Sequence, residues 1–160
     1  MKAIITGSFD PITIGHIEII KKASSFFDEL YVVALVNSEK EYMFSLEEKR
    51  EIMELSLADF KNVKIDAYDG LTADYMHKHG ITKIIRGIRD KHDEEYENKL
   101  AKAMASFDSD FETIFIHSDE KYKKISSTTV RKAITENKKL IGMIDERAIK
   151  RVKEIYNAKK

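Results

Sequence analysis

Apolar and polar positions along the chain follow two rhythms. Short apolar runs stand at Lys2–Thr6 (KAIIT), Leu30–Val36 (LYVVALV), Val63–Ala67, Lys83–Arg86 and Glu112–Ile116 (ETIFI). Each predicts a β-strand, because compact runs rich in β-branched residues suit a sheet covered on both faces. Between them the apolar positions recur at helical spacing. Gly15–Phe27 carries Ile17, Ile20, Ala23 and Phe27 on one stripe. Ser45, with Glu48 three residues later, is a capping-box start for a helix reaching Ala58. Thr72–His79 predicts a helix that Gly80 ends in the left-handed conformation. Asp93–Ser106, Ser127–Glu136 and Asp145–Asn157 complete the helical set.

Strands alternating with helices predict an α/β fold, a five-stranded parallel sheet with helices on both faces, since each parallel crossover needs a connecting element. The 160 residues fit one domain, spanning residues 1–160, and a single proline and six glycines leave no linker. Ligands of such sheets sit beyond the carboxyl ends of the strands. Attention therefore falls on the loops after the first, second, fourth and fifth strands.

Composition narrows the chemistry. Lys+Arg and Asp+Glu are both 28, so there is no positive excess of the kind non-specific nucleic-acid binding requires. The chain has no cysteine, which excludes disulfides, thiol catalysis and thiolate metal sites. No apolar run is long enough to span a bilayer, and the first residues lack a signal-peptide core. A cytoplasmic location, without membrane or nucleic-acid partners, is the expectation.

The loop after the first strand, Gly7-Ser8-Phe9-Asp10-Pro11-Ile12-Thr13-Ile14-Gly15-His16, is neither a dinucleotide fingerprint nor a P-loop. It has related ingredients: glycines for turns and close approach, and a helix start whose N–H groups and dipole attract phosphate. His16 falls in that first turn. The plainer reading is a strand–turn–helix connection with a surface histidine. After the fifth strand, Ile125-Ser126-Ser127-Thr128-Thr129-Val130-Arg131 is a run of hydroxyls entering a helix, which reads either as simple capping or as a second phosphate cradle. Arg86-Gly87-Ile88-Arg89 follows the fourth strand, ahead of Asp93-Glu94-Glu95-Tyr96-Glu97. It reads either as a phosphate fork or as surface arginines paired with acids. His77 and His79 lie two apart and make a poor metal pair, better read as helix-end histidines. The basic stretch Arg147–Lys160 reads as a solvated helix face.

These segments resemble the nucleotidyltransferase superfamily. Thr13-Ile14-Gly15-His16 is similar to its T/HxGH motif and Ile125–Arg131 to its ISSTxxR signature. The Arg86–Glu97 segment resembles that of the phosphopantetheine adenylyltransferase family, and the resemblance runs from Lys2 to the last helix. It implies a Rossmann-like fold and transfer of the adenylyl group of ATP to 4′-phosphopantetheine, giving dephospho-coenzyme A and pyrophosphate. It also implies Mg²⁺ carried by ATP rather than by a protein metal site, a homohexamer, and inhibition by coenzyme A. His16 would stabilise the transition state at the α-phosphorus. Ser8, Lys40, Thr72 and Arg86 would serve phosphopantetheine. Ser8, Phe9, His16, Gly87, Ile88, Arg89, Glu97 and the segment Tyr122, Lys123, Lys124, Ile125, Ser126, Ser127, Thr128 would serve ATP. Tyr42 stands where the family often has proline, which implies a less rigid loop around Lys40. Glu94 stands where many members have an aromatic residue, and Ser8 where threonine is frequent. The alternatives are adenylyl transfer to nicotinate mononucleotide, against which the Arg86–Glu97 segment speaks, and a nucleotide-sensing module without turnover, which would not need His16.

Overall fold

A computed structural model describes residues 1–160. The elements are β1 (Lys2–Gly7), α1 (Ile14–Ser24), β2 (Glu29–Leu35), α2 (Leu46–Ser56), β3 (Val63–Tyr68), α3 (Thr72–His79), β4 (Lys83–Ile88), α4 (Lys91–Phe107), β5 (Glu112–His117), a short 3₁₀ turn (Glu120–Tyr122), α5 (Ser127–Thr135) and α6 (Glu146–Ala158). All five strands are parallel, in the order β3-β2-β1-β4-β5. The chain thus steps outward from β1 to β3, then returns to lay β4 against the free side of β1. Loops leaving β1 and β4 diverge at that boundary and open a crevice at the carboxyl ends.

Alternation along the strands builds two cores of unequal size. Ala3, Ile5, Leu30, Val32, Ala34 and Ile85 point to one face, where buried residues of α1, α2, α5 and α6 join them in a cluster of 23. Ile4, Tyr31, Val33 and Ile84 point to the other, where α3, Ile81 and Phe111 complete a cluster of nine. No residue of α4 is buried. α6 is not the solvated face its charge suggests. Ala148, Val152 and Ile155 enter the larger core, while Arg151 binds Glu51 of α2 at 2.7 Å.

Several boundaries differ from the sequence pattern. α1 ends at Ser24, short of Phe27, and Phe26 turns outward. β4 continues past Arg86 through Gly87 and Ile88, which the apolar pattern leaves as a loop. Gly87 and Ile88 pair with Ile116 and His117 of β5, so ladder hydrogen bonds extend the strand where side-chain character does not announce it. α4 begins earlier than Asp93 because Asp90 caps it, accepting from Asp93 N at 2.8 Å. The Ser45/Glu48 capping box is present, and Gly80 ends α3 at φ 65°, ψ 37°. No helix is long and apolar enough to cross a membrane.

Candidate active site

At the β1/β4 boundary lies a cleft of about 300 Å³ walled by both strand ends, α1, the start of α4 and the turn before α5. Its geometry begins with Phe9. The left-handed turn after β1 is made there, at φ 44°, and not at Gly7 as glycine's freedom suggests. A bulky residue in this region is strained and persists only where its surroundings hold it. The Phe9 ring is buried and packs edge-on against His16, centroids 5.1 Å apart. Gly7 is needed for space: a Cβ there would stand 3.3 Å from the Phe9 ring.

Thr13 caps α1 and His16 answers it. His16 N–H donates to Thr13 Oγ1 at 3.3 Å, and Thr13 N–H donates to His16 Nδ1 at 3.0 Å. The T-x-G-H spacing is therefore a capping box with histidine at the third helical position. A backbone N–H can only donate, so Nδ1 accepts and the ring proton of the neutral imidazole sits on Nε2. Burial, and secondarily the Arg89 guanidinium, push the His16 pKa from 6.5 down to about 4. At neutral pH the cleft thus holds an uncharged imidazole with one free donor.

The second rim turn meets the first. A Cβ on Gly15 would lie 3.5 Å from Ile125 O and 3.7 Å from Tyr122 O, which is van der Waals contact and shows how close the two turns stand. Ser127 Oγ donates to Pro11 O at 2.8 Å, and Arg131 Nη1 donates to Asp10 O at 2.9 Å. Ser126 caps α5, with Thr129 reciprocating. The N–H groups of Gly15, Ser127 and Thr128 find no acceptor within the chain, which leaves both helix starts open to anions.

Among the residues expected from sequence, Phe9, His16, Arg86, Gly87, Arg89 and Glu97 line the cleft. Tyr122, Ile125 and Ser126 line it from the second turn. Ser8, Lys123, Lys124, Ser127 and Thr128 lie beside the lining and not in it. Ile88 is buried, so only its backbone is available, and Ile88 O accepts from Ser118 N–H. Thr72 lines a smaller neighbouring pocket of about 150 Å³, to which Arg86 also contributes. Lys40 is exposed on the loop after β2 and lines neither pocket.

The arginines and acids are paired. Arg86 Nε binds Glu97 at 2.7 Å and its Nη1 donates to Thr6 Oγ1 at 3.2 Å, while Arg89 Nε binds Asp93 at 3.0 Å. Both cleft carboxylates are thereby engaged, and no cluster of three His, Asp or Glu exists that could hold a metal. His77 binds Asp108 at 2.6 Å and His79 stacks on Tyr75, so both serve packing.

Sequence reasoning overlooked Asp10. It is buried, and its carboxylate accepts from Met43 N–H and Phe44 N–H, both at 2.9 Å, joining the first loop to the Lys40 loop. It also missed Lys49, buried on α2; the signal was its place on a stripe with Ile52, Met53 and Ser56.

Residues 4–133 match the cytidylyltransferase-like family model. The chain is 40% identical over 148 residues to a phosphopantetheine adenylyltransferase of Clostridium novyi, covering 92% of each chain. It is 43% identical over 131 residues to that of Thermotoga neapolitana, covering 82% of this chain and 81% of the relative. Among solved structures, a Vibrio parahaemolyticus protein described as a nicotinate-nucleotide adenylyltransferase superposes with TM-score 0.67 and 17% identity. That match covers 93% of this chain and 89% of the other, a likeness of fold alone.

Proposed function

The chain belongs to the cytidylyltransferase-like family and, within it, to the phosphopantetheine adenylyltransferases, and on that premise we propose how its cleft carries out the reaction. The enzyme transfers the adenylyl group of ATP to 4′-phosphopantetheine in coenzyme A biosynthesis. A phosphate oxygen of the acceptor attacks the α-phosphorus, the bond to the bridging oxygen breaks, and pyrophosphate leaves with that electron pair. The acceptor phosphate is largely a dianion at neutral pH, since its second pKa is about 6, so no strong base is needed. What the site must supply is alignment and compensation of charge.

The residue roles proposed here are those that the family resemblance implies. His16 Nε2–H donates to an oxygen on the α-phosphorus, where negative charge builds in the transition state. The open N–H groups at the starts of α1 and α5 hold the triphosphate, with Arg89, Gly87 and the Tyr122–Thr128 segment around it. Ser8 sits between the two substrates, and Phe9 walls the nucleotide side. Arg86, common to both pockets, exchanges Glu97 for the acceptor phosphate, and Thr72 flanks the pantetheine arm. Glu97 is then free to face the nucleotide, with Ile88 contributing backbone. Lys40 reaches the acceptor phosphate from its loop. Mg²⁺ travels on the triphosphate as part of the substrate, as the family resemblance implies. The observation that carries this reading is the meeting of the two rim turns beside an uncharged, singly donating imidazole.

Coenzyme A shares the chemistry of both substrates and fits as an inhibitor of the same cleft. The unburied α4, with Tyr96 and Phe107 exposed, suits the homohexamer that the family resemblance implies; sedimentation measures it. A cytoplasmic setting is part of the same proposal.

Pyrophosphate release with Mg-ATP and either phosphopantetheine or nicotinate mononucleotide tests the acceptor. Turnover with phosphopantetheine alone is expected, and turnover with nicotinate mononucleotide alone would refute it. Arg86→Ala raises KM for phosphopantetheine by about tenfold, the loss of one charge-assisted pair, and KM for ATP less. The opposite order would remove Arg86 from the acceptor side.

A further inference from the structure

Lys49 is 1% exposed, and its Nζ has no hydrogen-bond partner. A buried ammonium in that state is costly, and natural proteins retain one only where something offsets it. Here the offset is the Tyr42 ring, whose centroid lies 3.5 Å from Nζ, a cation–π contact removed from water. Burial, the largest influence, pushes the Lys49 pKa below its ordinary value; the field of Asp10 opposes that shift and Arg131 adds to it.

Tyr42 closes the loop that carries Lys40. Its hydroxyl accepts from Asn37 N–H at 2.7 Å, and Lys40 N–H donates to Asn37 O at 3.0 Å, so residues 37–42 form a small ring. The next two residues, Met43 and Phe44, give their N–H groups to Asp10, and Lys159 Nζ donates to Met43 O at 2.9 Å. Arg131 of α5 holds the Asp10 carbonyl and lies 3.7 Å from its carboxylate. A continuous path thus joins α5, the turn before α1 and the loop after β2. Without proline at position 42, the loop is tied from below by a charge.

We propose that Lys49 is a positioning residue: its buried ammonium, seated against the Tyr42 ring, fixes the 37–42 loop and so sets how the exposed Lys40 reaches toward the acceptor phosphate. This rests on Lys40 serving the acceptor phosphate. Lys49→Met keeps length and volume and removes the charge, whereas Lys49→Arg keeps the charge. Lys49→Met is expected to leave the melting temperature level or higher, since an unpaired buried charge is gone. It should raise KM for phosphopantetheine about 3- to 10-fold, the scale of one cation–π contact, with KM for ATP and kcat within about twofold. Lys49→Arg restores the wild-type KM. Tyr42→Leu gives the same split.

Hydrogen exchange of the full-length protein reads the loop directly. The amides of Asn37 and Lys40 exchange faster in Lys49→Met and Tyr42→Leu. Unchanged exchange in both variants, or equal rises in KM for both substrates, would overturn the proposal. Lys40→Ala separates the two layers: an unchanged KM for phosphopantetheine would overturn the role of Lys40, and the exchange rates would then decide the tie on their own.

Discussion

Two helices begin at the rim of the cleft, each with a hydroxyl cap answered by its third residue, yet they end in different chemistry. At α5 the answer is Thr129, whose hydroxyl accepts from Ser126 N–H and donates to Ser126 O. Both capping side chains are spent on the helix, and what remains for a ligand is backbone, the N–H groups of Ser127 and Thr128. At α1 the answer is His16. An imidazole has two nitrogens, so capping occupies Nδ1 and leaves Nε2–H unspent. The same local device thus leaves only unpaired backbone N–H groups at one rim and, at the other, a locked, uncharged donor. The difference lies in the valence of the third residue.

The largest effect that tests this contrast is at His16. His16→Ala lowers kcat about 10²- to 10³-fold, the size of one lost transition-state donor, with little change in ATP affinity. His16→Asn separates the two jobs, since its amide can still accept at the cap but does not reproduce the donor. Its melting temperature stays nearer the wild type while kcat falls as far as in the alanine variant. A kcat within about threefold of wild type would end the assignment.

The caps themselves come next. Thr13→Val and Ser126→Ala each lose about 1 kcal/mol of stability, as N-cap hydroxyl removals do. Thr13→Val lowers kcat only several-fold, because the backbone N–H of residue 13 still holds Nδ1. Ser126→Ala raises KM for ATP and leaves kcat within about twofold. Equal kinetics from the two variants would erase the distinction between the rims.

The smallest effect is on pH dependence. The folded His16 pKa lies near 4, below its ordinary 6.5. Between those values the unfolded chain holds a proton that the folded chain does not, so stability is lost as pH falls from 6.5 toward 4. Denaturant midpoints should fall more steeply over that window in wild type than in His16→Asn, and parallel slopes would contradict it.

Much of this was legible in the residues. Apolar runs and capping signatures placed all five strands and every helix, because strand and helix periods differ and Ser45, Gly80 and Ser126 mark ends. The cleft-lining motifs were legible as well, though not how they are made. T-x-G-H does not display that its histidine caps the helix, since that depends on Nδ1 meeting a backbone donor. Gly87 and Ile88 look like a loop because a glycine follows the charge of Arg86, whereas pairing with β5 keeps them extended. The plainer reading of the arginines, paired with the acids of the next helix, is present in Arg86–Glu97 and Arg89–Asp93. Those pairs stand where substrate phosphates would compete for the same guanidiniums. Lys49 was hidden by its company, a run of charged residues whose burial only the docking of α2 decides.

The unequal cover of the sheet has one more consequence. The groups that shape the cleft, Phe9, Thr13 and His16, rest on the thickly packed face, whereas the acids that neutralise its arginines ride on α4, which has no fully buried residue and reaches the smaller core only through Met104. An element so lightly anchored opens at low free energy. Opening there would draw Asp93 and Glu97 away from Arg89 and Arg86 together, removing one wall of the cleft and turning its electrostatic sign toward positive.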